Sequence, residues 1–239
     1  MDHIPHLIII GRPAAGKSEV IDYLKKSHPD TLRSALHLAP FVEIDDFPFV
    51  FQCFEIDAIY TKYGKPRRFT DERNYFNDPF VWDMLIERIN AAHERFLMEH
   101  PGYLETGSIL VEFARGGKDG FGRAFSLLRE EILRNAAVLY IKVSYEESVR
   151  KNRRRARPGQ EHSILHHSLR DDQMEFYYKD NDWQELSGGR DDGFIEVKGV
   201  KVPFVALNNE PEVTDEVAKL GPALTRNLDV LHRLYQESR

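Results

Sequence analysis

A short glycine-bearing segment near the start of the chain sets the strongest limit on how this sequence can fold. It follows the apolar run Leu7–Ile10, which is typical of a strand buried on both faces. It precedes the stretch 18–26, whose pattern predicts a helix. Its spacing is G-x-x-x-x-G-K-S, and its residues are Gly11, Arg12, Pro13, Ala14, Ala15, Gly16, Lys17 and Ser18. The sequence therefore predicts a strand, a tight turn and a helix in immediate succession.

This spacing is that of a phosphate-binding loop, or P-loop. Glycines let backbone N–H groups turn inward around phosphate oxygens, and the N-terminus of the following helix adds partial positive charge. We therefore expect the whole loop to bind ATP. Lys17 is expected to reach the β- and γ-phosphates, and the Ser18 hydroxyl is expected to bind Mg²⁺. ATP and Mg²⁺ are the cofactors that the loop predicts.

Strands and helices alternate along the rest of the chain. The apolar runs that predict further strands lie at 41–44, 109–111, 137–143, 194–197 and 200–207. The last two are expected to form a hairpin, and Pro203 favours an edge or an irregularity for its second arm. Helical stretches separate the other strands, so we expect an α/β fold of three layers. A mostly parallel five-stranded sheet would lie between two layers of helices.

The P-loop also carries a resemblance to a known group of enzymes. The segment Gly11–Ser18 is similar to the Gly-x-Pro-Gly-x-Gly-Lys form found in nucleoside-monophosphate kinases, with Ala14 in place of one glycine. In the order of its elements, most of the chain resembles the P-loop kinases of small metabolites, nucleosides and nucleotides. The resemblance implies an ATP-dependent phosphotransferase and leaves its substrate open.

This resemblance implies one P-loop kinase-like domain over residues 1–239 with two additions. A substrate-binding insert is expected at about 46–78, where arginines alternate with aromatic residues. Arg67, Arg68 and Arg73 would suit an anionic group, and Phe69, Tyr75 and Phe76 a flat ring, as in a nucleotide or another phosphorylated acceptor. An aromatic-rich core with a few exposed arginines explains the same letters. A lid is expected at about 153–180.

Acidic residues follow two of the predicted strands. Asp45 and Asp46 come after the second strand, where kinases of this group often carry an acid that orients or deprotonates the acceptor hydroxyl. Asp46 is favoured over Asp45, and a simple turn-forming pair is the alternative. Glu112 ends the third strand, where an acidic residue holds Mg²⁺ in such enzymes. Glu105 would take this role if the strand lay elsewhere.

Two groups of arginines complete the expected site. Arg115 resembles the arginine that contacts substrate phosphate in nucleotide kinases. The basic run Arg150–Arg157 lies where these enzymes have lid arginines that close over the phosphates. Helical spacing favours Arg153 and Arg157 within that run, and a solvated helix face is the alternative. Arg115, Arg153 and Arg157 are thus expected to act in catalysis with Lys17 and Asp46.

Composition limits the partners. The formal net charge is −6, which argues against a general nucleic-acid binder. No apolar run approaches the ~18 residues of a membrane span, and the N-terminus lacks the basic start of a signal peptide. A single cysteine, Cys53, is expected to be a buried thiol in a reducing cytoplasm. We therefore expect a cytoplasmic protein that acts on a small-molecule acceptor, with no membrane partner and an undefined oligomeric state.

A second function is compatible with the same loop. A partner-regulated ATPase or nucleotide-dependent switch would also need a P-loop. No Asp-x-x-Gly turn directly follows a predicted strand, and the Asn-Lys-x-Asp motif of GTPases is absent. Asn208-Asn209-Glu210-Pro211 stands near the place of the second motif without its Lys and Asp. The sequence therefore favours ATP and a kinase, with the switch as the alternative.

Overall fold

A central sheet of six strands organises the part of the chain that the structure, a computed structural model, describes: residues 2–155 and 168–239. The strands are β1 His6–Gly11, β2 Phe41–Asp45, β3 Ser108–Phe113, β4 Ala136–Lys142, β5 Asp192–Val197 and β6 Val200–Asn208. Their order is β2-β3-β1-β4-β6-β5. The first five in that order are parallel, and β5 is antiparallel to β6.

Helices cover both faces of this sheet. They are α1 Lys17–Lys26, α2 Pro29–Leu36, α3 Phe47–Lys62, α4 Phe80–Glu99, α5 Gly120–Leu127, α6 Glu130–Arg134, α7 Tyr145–Arg155, α8 Asp171–Tyr178, α9 Trp183–Leu186 and α10 Val217–Glu237. Leu7 and Ile9 of β1 pack with α1, α2 and α10 on one face, and Ile8 and Ile10 pack with α4, α5 and α6 on the other. A strand buried on both faces needs a continuous apolar run, which explains the sequence of β1.

The expected three-layer fold with a mostly parallel sheet is confirmed, but the sheet has six strands where five were expected. The additional strand is β5, the first arm of the predicted hairpin, which joins the edge of the sheet. The expectation from Pro203 needs a related correction, because β6 is an inner strand. Pairing between β4 and β6 begins at Phe204, so Pro203 pairs with β5 alone and its missing N–H removes no bond to β4.

The two expected additions contain helices. The segment expected to be a substrate-binding insert begins with α3 and continues as a loop held by the buried Asp57 carboxylate, which accepts hydrogen bonds from the backbone N–H groups of Arg68, Phe69 and Thr70. Helix α8 lies within the segment expected to be a lid. In the described ranges, no helix combines the length and the apolar character that crossing a bilayer requires.

A histidine pair is buried where β1 meets α4. The Nε2 atoms of His6 and His93 lie 2.8 Å apart, and both residues are fully buried. Burial, reinforced by the neighbouring His93, lowers the pKa of His6 from 6.5 to about 3. Burial also lowers the pKa of His93. The pair is therefore neutral near pH 7 and shares one hydrogen bond.

We predict that protonation of His6 in the unfolded chain destabilises the fold in acid. The unfolded chain binds this proton below its ordinary pKa, whereas the folded protein accepts it only near pH 3. Stability is therefore lost as the pH falls through about 6.5, and His6 should account for about 2 kcal/mol between about pH 7.5 and pH 5.

Urea unfolding at these two pH values measures the effect. His6→Leu should reduce the pH-dependent change in the free energy of unfolding by that amount, while His100→Gln, an exposed control, should leave it unchanged. If His6→Leu retained the full pH dependence, the assignment to His6 would be wrong.

Candidate active site

The P-loop connects β1 to α1 through a backbone that requires glycine at two positions. Gly16, the residue before α1, has a φ of 115°, and a Cβ there would lie 2.6 Å from Asn209 Nδ2. A Cβ on Gly11 would lie 2.8 Å from the carbonyl oxygen of Ile141 in the neighbouring β4. Ala14 also takes a left-handed conformation, with a φ of 55°. The two glycines of the motif thus permit close packing of the loop against the rest of the fold.

A single buried amide braces this loop. Asn209 Nδ2 donates to the carbonyl oxygen of Ala15 at 2.7 Å and to Thr214 Oγ1 at 2.8 Å. Its Oδ1 accepts from the backbone N–H groups of Val213 and Thr214. Asn209 is fully buried, so all of these bonds are shielded from water. The segment that follows β6 therefore holds the P-loop in place.

Lys17 points toward the carboxyl ends of the strands. Its Nζ atom donates to the carbonyl oxygen of Arg12 at 3.2 Å and lies 3.7 Å from Glu112 Oε1. Ser18, in the first turn of α1, lines a cavity that Lys17 also borders.

Three carboxylates meet beside Lys17. Asp45 pairs in register with Glu112 on adjacent strands, and Glu43 lies two residues earlier on the same face of β2. Each of the three offers an oxygen within 4.8 Å of the others. Burial, with the charges of Glu112 and Asp46, raises the pKa of Asp45 to about 8, and burial also raises the pKa of Glu112. Lys17 and Lys25 lie beside Glu112 and Glu43, so the two cations offset only part of the negative charge of the three carboxylates.

This cluster fits a magnesium ion. Carboxylate and hydroxyl oxygens are the ligands that Mg²⁺ prefers, and a cation among these groups would relieve their mutual repulsion. Glu112 was expected to be such a ligand together with Ser18. Glu43 and Asp45 were not, although the alternation of a strand already puts residues 43 and 45 on one face.

Asp46 is held by Arg115. Arg115 Nη1 donates to Asp46 Oδ2 at 2.5 Å and to the carbonyl oxygen of Ala114 at 2.7 Å, and Nη2 donates to the carbonyl oxygen of Trp82 at 3.3 Å. The Asp46 and Arg115 side chains are both buried. Burial raises the pKa of Asp46, and the Arg115 guanidinium is the main influence that lowers it. Arg115, expected to contact substrate phosphate, thus contacts the carboxylate beside it.

The arginines of α7 divide differently from the expectation. Arg153 pairs with Asp171 at 2.6 Å and does not reach the cavity in the described structure. Arg154 and Arg155 line the cavity instead. Arg157 lies outside the described residues. Because arginine occupies several successive positions of α7, helical spacing alone did not define which of them faces inward.

One cavity of about 700 Å³ is bordered by Lys17 and Ser18 of the P-loop, by the carboxylates of Glu43, Asp45, Asp46 and Glu112, and by Arg115, Arg154 and Arg155. The P-loop, the acidic cluster and Asp46 line one part of it. Phe54, Phe76, Trp82, Tyr177 and Tyr178 line another part of it. Phe76 is one of the aromatic residues expected to suit a flat ring in the substrate-binding insert. The others were missed as site residues, since they come from separate segments that meet only in the folded chain.

Neither a protein-family model nor a curated protein matches the sequence. Solved structures do align with it over nearly their whole length. TT1252 from Thermus thermophilus is 18% identical, with 97% of each chain covered and a TM-score of 0.50. A gluconokinase from Sinorhizobium meliloti 1021 is 14% identical, with 99% of each chain covered and a TM-score of 0.44. A sugar kinase from Janibacter sp. HTCC2649 is 13% identical, with 96% of each chain covered and a TM-score of 0.41.

The likeness to the Thermus protein supports a three-layer fold in which a P-loop follows the first strand of a mostly parallel sheet. At these identities the likeness extends to the fold and not to the reaction or the substrate.

We predict that Asn209→Ala weakens both the fold and nucleotide binding. The variant leaves buried partners of the amide without hydrogen bonds, so it should lower the free energy of unfolding by about 2–3 kcal/mol. Nucleotide affinity should fall because the loop loses its brace. Chemical unfolding and the binding of a fluorescent ATP derivative measure the two effects.

The adjacent Asn208 provides a matched control. It is exposed and donates one hydrogen bond, to the carbonyl oxygen of Glu210. Asn208→Ala should change stability by no more than about 0.5–1 kcal/mol. Equal losses in the two variants would contradict the bracing role of Asn209.

Proposed function

We propose that this chain is an ATP-dependent phosphotransferase that uses Mg²⁺ to transfer the γ-phosphoryl group of ATP to a hydroxyl group of a small molecule. One observation carries the proposal. A single cavity joins Lys17 of the P-loop to Asp45, Asp46 and Glu112 at the carboxyl ends of β2 and β3. A phosphate site and a set of carboxylates beside it are what transfer to a hydroxyl requires.

The P-loop binds and polarises the phosphates in this proposal. Its backbone N–H groups donate to phosphate oxygens, and Lys17 exchanges its contacts with Arg12 and Glu112 for the β- and γ-phosphates. Ser18, Glu112 and Asp45 hold Mg²⁺, with Glu43 as a further oxygen ligand. When bound, Mg²⁺ supplies positive charge that offsets the charge of the phosphates.

Asp46 orients the acceptor hydroxyl and takes its proton. Asp45 faces Glu112 and Glu43, whereas Asp46 faces Arg115 on the side of the aromatic residues. This difference supports Asp46 as the acceptor-facing acid and Asp45 as a ligand of the metal. Arg115 is then a positioning residue that holds the Asp46 carboxylate in one orientation.

The arginines of α7 are proposed to act on the phosphates from the opposite side. Arg154 and Arg155 line the cavity and pair with Glu212 and Glu19. Exchange of these carboxylates for phosphate oxygens would bring positive charge to the transferring group. The catalytic role that the sequence predicts for Arg153 and Arg157 stays a prediction.

Space for an acceptor favours a kinase over a nucleotide-dependent switch. The cavity continues past the carboxylates to the aromatic residues, and a switch that acts through a protein partner has no need of such an enclosed extension. We therefore rank the partner-regulated ATPase second.

ADP formation from Mg·ATP tests the proposal, with and without nucleosides, nucleotides, sugars and other hydroxyl-bearing metabolites. Strong stimulation by one class of acceptor, with a phosphorylated product identified by mass, is expected. Slow turnover that none of these compounds accelerates would favour the partner-regulated ATPase.

We predict that Lys17→Ala abolishes phosphoryl transfer and leaves the fold intact. The side chain offsets charge on the transferring group, and such contacts contribute several kcal/mol to transition-state stabilisation, so the loss should be about 100-fold or more. Lys26→Ala, which removes an exposed lysine near the end of the same helix, is the control. Steady-state rates and thermal melting measure both variants, and full activity of Lys17→Ala would refute the scheme.

We predict that the neighbouring aspartates separate kinetically. Asp46→Asn should lower kcat by about 100-fold or more with little change in ATP binding, because it removes the proton acceptor. Asp45→Asn should mainly raise the Mg²⁺ concentration required for half-maximal rate, because it removes a metal ligand. Rate measurements across Mg²⁺ concentrations distinguish the two. The opposite pattern would exchange their roles.

A further inference from the structure

The aromatic residues of the cavity form one continuous wall. The rings of Phe54 and Phe76 are parallel, with centroids 6.1 Å apart. Phe76 meets Trp82 edge to face at 4.9 Å, and Trp82 meets Tyr177 edge to face at 5.4 Å. A hydrogen bond from the backbone N–H of Phe76 to the Tyr177 hydroxyl joins the loop after α3 to α8. These side chains are half-buried, so they retain surface toward the cavity.

The aromatic wall adjoins the acidic groups of the site. Arg115 lies over the Trp82 ring, with its Cζ atom 5.1 Å from the ring centroid, and also binds Asp46. Tyr178 lines the cavity on the same side, and the Asp46 charge contributes to its raised pKa, although burial is the main cause. A compound seated against this wall would therefore lie within reach of the Asp46 carboxylate.

Positive charge in the cavity is already neutralised. In the described part of the chain, every lysine and arginine that lines the cavity is paired with a carboxylate. The pairs are Lys17 with Glu112, Lys25 with Glu43, Arg115 with Asp46, Arg154 with Glu212 and Arg155 with Glu19. Those that bind the triphosphate would exchange their partners for it, which leaves Arg115 as the cation beside the aromatic wall.

Arg115 is poorly suited to bind an anionic acceptor. Its guanidinium already makes three hydrogen bonds to protein, and release from Asp46 would leave a buried carboxylate unpaired. The arginines of the loop after α3 do not compensate. Arg67 binds Thr70 and Asn74, Arg68 lies over the Tyr60 ring, and Arg73 binds Asp172; none of the three borders the cavity.

We infer that the acceptor is an uncharged hydroxyl compound with a flat ring, which is the chemistry of a nucleoside; this inference rests on the proposed phosphotransferase function. The ring stacks on the aromatic wall, and the hydroxyl lies beside Asp46. The hydroxyl oxygen forms a bond to the γ-phosphorus as the bond to the bridging oxygen breaks. ADP leaves with that electron pair, and Asp46 takes the hydroxyl proton. The products are ADP and the phosphate monoester of the acceptor.

Matched ligands test the inference by binding rather than by turnover. Calorimetry in the presence of Mg²⁺ and β,γ-methylene-ATP compares adenosine, guanosine, cytidine and uridine with their 5′-monophosphates and with ribose. The monophosphate keeps the ring and adds charge, whereas ribose keeps hydroxyls and lacks the ring. At least one nucleoside should bind at least about tenfold more tightly than its monophosphate and than ribose.

Equal or tighter binding of the monophosphate or of ribose would overturn the inference, as would the absence of binding by all four nucleosides. Failure of the inference remains distinct from failure of the proposed function. Transfer to a sugar or to a nucleotide would support the proposed phosphotransferase function and contradict an uncharged acceptor with a flat ring. Binding of a nucleoside without phosphoryl transfer would support a nucleoside-binding subsite and contradict the proposed phosphotransferase function.

Two positions of α4 provide matched variants. Trp82→Leu removes a ring of the wall and should weaken the best nucleoside about 5- to 150-fold. Phe80→Leu removes a ring that is 61% exposed and lies outside the cavity, so it should change binding less than twofold. Phe76→Leu is a second test of the wall. Retained binding of the ATP analogue verifies the fold of each variant, and equal nucleoside binding by all three would refute the role of the wall.

Discussion

Carboxylates gathered at the ends of two neighbouring strands, half-buried at Asp45 and Glu112 and buried at Asp46, impose the electrostatic constraint on which the rest of this site depends. Parallel pairing of β2 with β3 brings Asp45 beside Glu112, and the turn after β2 adds Asp46. Buried charges need partners. Asp46 has one in Arg115, and Lys17 lies 3.7 Å from Glu112. Burial, with the charges of Glu112 and Asp46, raises the pKa of Asp45 to about 8. A cation bound among these carboxylates would offset their mutual repulsion.

The P-loop reaches this cluster in a fixed geometry because other elements hold it. Asn209 binds the carbonyl oxygen of Ala15 from the segment after β6, and Ser148 Oγ of α7 donates to the carbonyl oxygen of Pro13 at 2.7 Å. Arg12 Nη2 donates to the carbonyl oxygen of Lys179 at 2.9 Å, just beyond α8. Helix α7 is thus hydrogen-bonded directly to the P-loop, and α8 is linked to it through the residue that follows the helix. A change in the position of α7 or α8 would shift the P-loop through these hydrogen bonds.

Local patterns predicted the parts of this protein that short segments determine. The apolar run of β1 and the glycines of the P-loop were sufficient to predict the strand and the loop, and the alternation of strands with helices predicted the three-layer fold. The position of Asp45 and Glu112 at one rim followed from parallel strands. Which face of α7 points into the cavity could not be predicted from the sequence, because arginines occupy more than one face of this helix. The sequence therefore favoured Arg153, whereas Arg154 lines the cavity. Trp82 was missed because its site neighbours lie in other segments.

Under the proposed reaction, the division of the cavity into a charged part and an aromatic part has a consequence for water. Asp46 is buried and next to the aromatic wall, so a ring seated on the wall displaces the water that would otherwise border this carboxylate. The same ring brings its own hydroxyl to the proton acceptor. Occupation of the wall therefore supplies the acceptor and removes its main competitor, water, in a single binding step. A wall without charge is suited to this task, because it gains free energy from an apolar ring and little from a solvated anion.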